Sequence, residues 1–220
     1  MKKKIILTND GSSSIYLPDW DETYHSKHGA IQEAYHVFIK NGLDLFKEKS
    51  NINIMEIGLG TGLNCFITFL ECNYRNLLVN YTGIEAFPLQ AKEILQLNYI
   101  QQLNAEKYSK EFDKIHSLNW EENNIIDSNF NLLKRKQFFK DINDLDRFNL
   151  IYFDAFGARV QPELWTEEIF KKMYDSLKDK GILVTYSAKG SARRAMQNVG
   201  FKVERLPGPP GKREMLRGMK

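Results

Sequence analysis

The sequence predicts an α/β protein: a mostly parallel sheet with helices on both faces and an antiparallel strand near its C-terminal end. Three observations predict it. Short apolar runs alternate with longer amphipathic segments, the pattern of βαβ units. One of these runs, NINIMEIG at 51–58, passes through a glycine-rich turn into a helix-like segment. The last two strand-like segments, FKVERL and REMLRGMK, follow each other with no helix between them, which suits an antiparallel pair.

The elements are justified in turn. Residues 51–58 are an apolar run before glycines, hence a buried strand, and LNCFITFLEC at 63–72 is the helix after it. NYTGIEA at 80–86 is a second strand. Pro88 suits the opening of a helix through LQAKEILQLNYI. The stretch from Glu111 to Asp144 is irregular, with one strand expected at LLKRKQFF, 132–139. NLIYFD at 149–154 is another buried strand. PELWTEEIFKKMYDSLKDKG is expected as a helix opened near Pro162 and stopped by Gly181. ILVTYS is a strand and SARRAMQNVG a helix closed by Gly200. Residues 1–45 do not fit the alternation and are expected as an extension packed over the ligand edge of the sheet.

With 220 residues, 42% hydrophobic and 27% charged, the chain suits a single domain over 1–220 with a core of useful size. MKKKIILTND is too short in apolar residues for a signal peptide, and no run approaches a membrane span, so the expected location is cytoplasmic. Cys65 and Cys72 lie seven apart, on one face of a helix, and read as buried thiols. No CxxC or Cys/His cluster exists and the four histidines are scattered, so no metal is expected. Nine bases follow from Lys189 onward, opposed only by Glu204 and Glu214. Such a segment is either a solvated face or a surface for a polyanion.

MEIGLGTGLN, 55–64, carries the first chemistry. A strand, a tight glycine turn and a helix form a nucleotide site beyond the strand ends of an open sheet. The glycines stand at 58, 60 and 62. A dinucleotide fingerprint would need glycine at 63, where Leu63 stands, and there is no G-K-S/T for a phosphate loop. Glu56 precedes the glycines, and Glu85 ends the second strand. This E-x-G-x-G-x-G pattern resembles motif I of the Rossmann-like class I S-adenosylmethionine-dependent methyltransferases. The resemblance implies that Glu56, Gly58, Gly60, Gly62 and Glu85 bind that cofactor. Asp154 closes a fully apolar strand. It is either a turn or cap residue, or a carboxylate facing the transferred methyl.

FDAFGARVQPELWT extends the likeness. It resembles the D-A/G-F-A-P…P-E/D-L/M-W-T signature of the methyltransferases that complete 5-methylaminomethyl-2-thiouridine at the tRNA wobble position. These occur as half of the bifunctional MnmC protein and as stand-alone enzymes. DETYHSKHGAIQEAYHVFIKNGL, IEAFPL, KDIND, SARRAMQNVGFKV and GPPGKREMLRG are similar to further blocks of that family, in the same order. The resemblance implies methyl transfer from S-adenosylmethionine to the amine of 5-aminomethyl-2-thiouridine in the tRNA anticodon loop. It further implies Asp154 as the catalytic group and Asp141 near the adenine; Tyr24 is the candidate lid residue over the cofactor. Arg193, Arg194, Lys212 and Arg213 are the expected phosphate contacts. The chain departs from the family pattern at Gly157-Ala158 and at Arg159-Val160. An ordinary aspartate is too weak a base for an amine, so Asp154 is expected to orient the acceptor and stabilise the developing ammonium. Two other readings remain: an aminopropyl or small-amine transferase, whose usual G-G-G-D-G loop is absent here, and a catalytically silent RNA-binding module.

Overall fold

The computed structural model describes residues 2–48 and 50–220. A small antiparallel sheet comes first: β1 (Lys4–Leu7), β2 (Ser13–Leu17) and β3 (Glu22–Thr23). Helix α1 (Ala30–Ala34) follows and runs on as a π-helical turn, Tyr35–Lys40. The main sheet then begins with β4 (Asn51–Ile57), α2 (Leu63–Arg75) and β5 (Leu78–Ile84). Two short helices, α3 (Ala91–Ile94) and α4 (Tyr99–Gln102), precede α5 (Ser109–Ser117). The chain continues through β6 (Asn123–Asp127), β7 (Phe130–Arg135), β8 (Phe148–Phe153), α6 (Glu167–Ser176) and β9 (Leu177–Thr185). Helix α7 (Gly190–Asn198) and the hairpin β10 (Lys202–Pro207) and β11 (Glu214–Met219) complete it.

The large sheet has the order β10-β11-β9-β8-β4-β5-β7-β6. Its centre, β9-β8-β4-β5-β7, is parallel. Both edges are antiparallel: β11 against β9, β10 against β11, and β6 against β7. The antiparallel C-terminal hairpin agrees with the sequence expectation; the β6 edge is additional. Chain direction divides at β4, whose neighbours are β5 and β8, so the crevice beyond its C-terminal end is the ligand edge of the fold.

Period-two alternation sorts the strands onto two cores. Ile52 and Ile54 of β4, Val79 and Tyr81 of β5, and Leu150 and Tyr152 of β8 pack with Phe66 and Phe69 of α2. Met55, Ile57, Ile151 and Phe153 pack instead with Phe170 and Met173 of α6. Continuing this alternation puts Glu56, Glu85 and Asp154 on the α2 side. The ladder itself runs one residue past the strands, with Asp154 N donating to Ile57 O and Glu85 N to Arg135 O.

Three expectations need correction. The helix from Pro88 is two short turns separated by residues 95–98. That segment anchors the extension: Asn98 Oδ1 accepts from Ser13 N at 2.7 Å, and its Nδ2 donates to Gly11 O at 2.9 Å. The irregular stretch 111–144 contains most of α5 and both β6 and β7. Its strand spans Phe130–Arg135 rather than 132–139. The helix opened near Pro162 does not reach Gly181. Residues 162–165 form a 3-10 turn, Thr166 caps α6, and the helix ends at Ser176. Leu177 already pairs with Phe148, and the register shift there absorbs Lys180 at φ 60 and Gly181. Pairing of the buried Leu177 with Phe148 thus outweighs the helix propensity of SLKDK. Cys65 and Cys72 are buried free thiols of α2. Among the described residues no helix is long and apolar enough to cross a membrane.

Candidate active site

One cavity of about 1000 Å³ opens at this ligand edge. The glycine turn forms its floor. Gly58, Gly60 and Gly62 all have positive φ, at 88°, 49° and 73°, a region that side chains disfavour. A Cβ on Gly58 would lie 2.8 Å from Asp154 O, so glycine there lets β4 and β8 close together at the switch point. A Cβ on Gly60 would meet the Tyr24 ring at 3.3 Å, which places Tyr24 directly over the turn. Gly58 and Gly60 line the cavity; Gly62 does not, and its would-be Cβ abuts His116 of α5 at 3.0 Å. Gly62 therefore serves the turn and helix packing.

Glu85 lines the cavity and closes the turn. Its Oε2 accepts from Gly60 N at 3.0 Å and its Oε1 from Phe87 N at 2.9 Å. Each oxygen keeps a further lone pair for a diol. Phe87 and Phe138, both largely exposed, stand edge to face at 5.8 Å on the same wall. Asp141 is exposed and is not among the lining residues, whereas Phe138, Phe139 and Lys140 of the same segment are. The acid expected near an adenine thus lies one residue beyond that wall.

Glu56 also lies outside the cavity lining. It is 1% exposed and accepts from Tyr81 OH at 2.8 Å and Asn64 Nδ2 at 2.9 Å. Burial pushes its carboxyl well above the usual range, against those two donors. It is a buried support beneath the floor rather than the direct cofactor contact expected. Asp154 does line the cavity, with Oδ2 accepting from Asn64 Nδ2 at 2.9 Å. Burial, reinforced by the Glu33 carboxylate, raises its carboxyl to about 7, against the Asn64 hydrogen bond and the Lys212 charge. Its environment is therefore not that of an ordinary aspartate.

The extension supplies the roof. Phe156 sits between Trp20 and Tyr24, at 5.6 and 5.0 Å, edge to face with both. Arg159, one of the departures from the family pattern, donates through Nη2 to Trp20 O, Asp21 O and Glu22 Oε2 at 3.1, 2.7 and 3.0 Å. It ties the loop after β8 to the β2–β3 link. His25 also lines the cavity, with Nε2 3.3 Å from Thr61 Oγ1 and Nδ1 3.1 Å from Ser14 Oγ. Burial lowers it to about 4, so it is neutral at pH 7.

The four expected phosphate contacts separate. Arg194 and Arg213 are exposed and Arg193 is half-buried. Lys212 is committed elsewhere: it pairs with the buried carboxylate of Glu33 and lies 3.8 Å above the Tyr186 ring. That is a correction, because a buried acid takes up the charge that sequence assigned to a phosphate. Arg205, Arg217 and Lys220 also pair with acids of the chain. Sequence reasoning passed over Asn64, His25 as a lining residue, Phe156 and Tyr186. Asn64 closes the glycine motif and was open to notice; the others depend on how the extension and β9 fold over the edge.

Residues 96–220 match the family described as S-adenosyl-L-methionine-dependent methyltransferase. The tRNA 5-methylaminomethyl-2-thiouridine biosynthesis bifunctional protein MnmC of Leptospira borgpetersenii is 29% identical, over 90% of this chain and 32% of its own length. The protein of the same description from Cupriavidus metallidurans is 27% identical, over 96% and 33%. The chain thus spans about a third of the length of these curated relatives. The crystal structure of MNMC2 from Aquifex aeolicus shares the fold, with TM-score 0.74 and 24% identity over 99% of this chain and 70% of that one. Spermidine synthase from Thermotoga maritima does so more loosely, with TM-score 0.54 and 15% identity over 99% and 72%.

Proposed function

The chain belongs to the S-adenosyl-L-methionine-dependent methyltransferases, and from that premise we propose that it methylates the primary amine of 5-aminomethyl-2-thiouridine at the tRNA wobble position, giving the 5-methylaminomethyl nucleoside. The curated relatives named above, with their printed role in forming that nucleoside, support the substrate. The residues present fit the cofactor. Gly58 and Gly60 leave the backbone open to close approach, Glu85 offers lone pairs to ribose hydroxyls, and Phe87 and Phe138 give flat apolar faces to an adenine. The cavity is at the upper end of the small-molecule range, which leaves space for an acceptor beside the cofactor.

Bound S-adenosylmethionine supplies an electrophilic methyl on a sulfonium. The work of this chain is to present a neutral amine to it. The observation that carries the reading is Asp154: a cavity-lining carboxylate at the β4/β8 switch point, with Oδ2 held by Asn64 and its proton affinity raised by burial. An aspartate at its usual value would only orient an ammonium. Each unit of upward shift lowers the cost of taking the amine's proton by about 1.4 kcal/mol. Asp154 therefore holds the amine by hydrogen bonding and also accepts its proton. Trp20, Phe156 and Tyr24 line the cavity with apolar rings, and lower local polarity strengthens both effects. A wobble base in a loop is extruded into such a site more cheaply than a paired one.

The test is a methyl-transfer assay with labelled S-adenosylmethionine and tRNA from a strain lacking this gene, read as nucleosides by mass spectrometry. A gain of one methyl on 5-aminomethyl-2-thiouridine is expected. Transfer to small amines, with none to that tRNA, would replace this reading by the small-amine one.

A further inference from the structure

Asn64 stands in the first turn of α2, lines the cavity and is 4% exposed. Its side-chain nitrogen has two hydrogens, and both go to carboxylates: Glu56 Oε1 and Asp154 Oδ2, each at 2.9 Å. With its nitrogen turned toward the two acids, the amide donates to an accepting oxygen of each. The amide oxygen is buried and has no hydrogen-bond partner among the described residues. Glu56, in turn, is held by the Tyr81 hydroxyl at 2.8 Å. A continuous chain, Tyr81–Glu56–Asn64–Asp154, thus runs from the middle of the sheet to the cavity. It joins β5, β4, α2 and the residue after β8, and it engages one oxygen of Asp154. Among the described residues, Oδ1 of Asp154 has no hydrogen-bond partner in the protein.

We infer that Asn64 is a positioning residue for the transfer: its amide clamps Oδ2 of Asp154, aims Oδ1 at the acceptor amine, and anchors that orientation on Glu56. This rests on the reading that Asp154 serves the reaction. The clamp also stands between two acids on adjacent strands, which would otherwise face each other unshielded. Glu56 thereby has a role that its place beneath the floor does not suggest: it holds the amide that holds the catalytic carboxylate. Other charged or titratable groups also face Asp154: Glu33 from α1, Lys212 from the β10–β11 turn and Tyr186 after β9. The side-chain bonds of Asn64 go to Glu56 and Asp154 and not to these three groups, so a shift on substitution reports the amide.

Two variants and two readouts test this. Asn64→Ala removes the clamp, and Glu56→Gln weakens its anchor while keeping shape, so the second stays informative if the first fails to fold. A positioning role lowers kcat about 10- to 100-fold in Asn64→Ala, less in Glu56→Gln, with cofactor Kd within about threefold. Loss confined to cofactor Kd would overturn the inference. The second readout is the titration of the Asp154 carboxyl by carbon NMR in the cofactor-free protein. Losing a donor to the carboxylate moves it to higher pH in Asn64→Ala; an unmoved titration overturns the clamp. If the titration moves but Asp154→Asn keeps full turnover, the clamp stands and the catalytic reading of Asp154 falls instead.

Discussion

Asp154 carries opposite consequences for activity and stability. Its folded carboxyl lies near 7 and its unfolded one near 3.8. Between those values the folded state binds the additional proton, so stability falls as pH rises through that window. Asp154→Asn removes the penalty. Its melting temperature is expected to match the parent near pH 4 and to exceed it above pH 7, by roughly 3–10 °C. The same variant should lose about 10²- to 10⁴-fold in turnover, the range for removal of a general base. Thermal melts across pH 4–8 beside a rate profile check both. Glu85 is a second test at this scale. Glu85→Gln disturbs the Gly60 contact and any ribose contact together, and weakening of cofactor binding by about 10- to 100-fold is expected by calorimetry. Gly58 shows why such a site is legible in sequence: its positive φ and the close approach of Asp154 O permit nothing larger. Asn64 shows the opposite. Asparagine in the first turn of a helix is chemically unremarkable until two carboxylates from other strands meet it.

Among the elements, the strands were easier to read than the connections. β8 declares itself by a nearly unbroken apolar run, and β4 and β5 by apolar residues alternating with polar ones. The segment 88–102 has the composition of one helix but forms two turns, because Asn98 bonds to the β1–β2 link. The β2–β3 link is likewise ordinary in sequence and becomes a roof only by packing on Phe156. Arg159 is expected to hold that roof shut. Its side chain is more than half exposed, so Arg159→Ala should change folding stability by less than about 1 kcal/mol. Cofactor dissociation should instead quicken several-fold, measured by stopped-flow; an unchanged off-rate would show that the aromatic stack alone holds the roof.

Over the whole molecule, charge is redistributed by folding. The C-terminal segment is strongly basic in sequence, but Arg205, Lys212, Arg217 and Lys220 each pair with an acid. If Arg194 and Arg213 contact tRNA phosphates, replacing both with alanine should flatten the dependence of log affinity on log salt by about two. Filter binding at several salt concentrations measures this. Lys212→Ala should leave that slope unchanged and lower stability by roughly 1–3 kcal/mol, because Glu33 is left buried without its partner.

By itself the sequence determined the α/β class, the parallel centre with its antiparallel C-terminal hairpin, the glycine turn and the acids Glu85 and Asp154. These follow from local rules: apolar periodicity, backbone freedom at glycine, and the end of a buried run. Only the tertiary structure decided that Glu56 lies beneath the cavity, that Asn64 joins it to Asp154, that Lys212 is held by Glu33, and that residues 18–25 roof the site. Each of these joins residues distant in the chain, and the proton affinity of Asp154 depends on its burial and on Glu33, Asn64 and Lys212. Burial and contact across elements leave no mark on local composition, so a carboxylate near 7 and one near 3.8 are the same letter in the sequence.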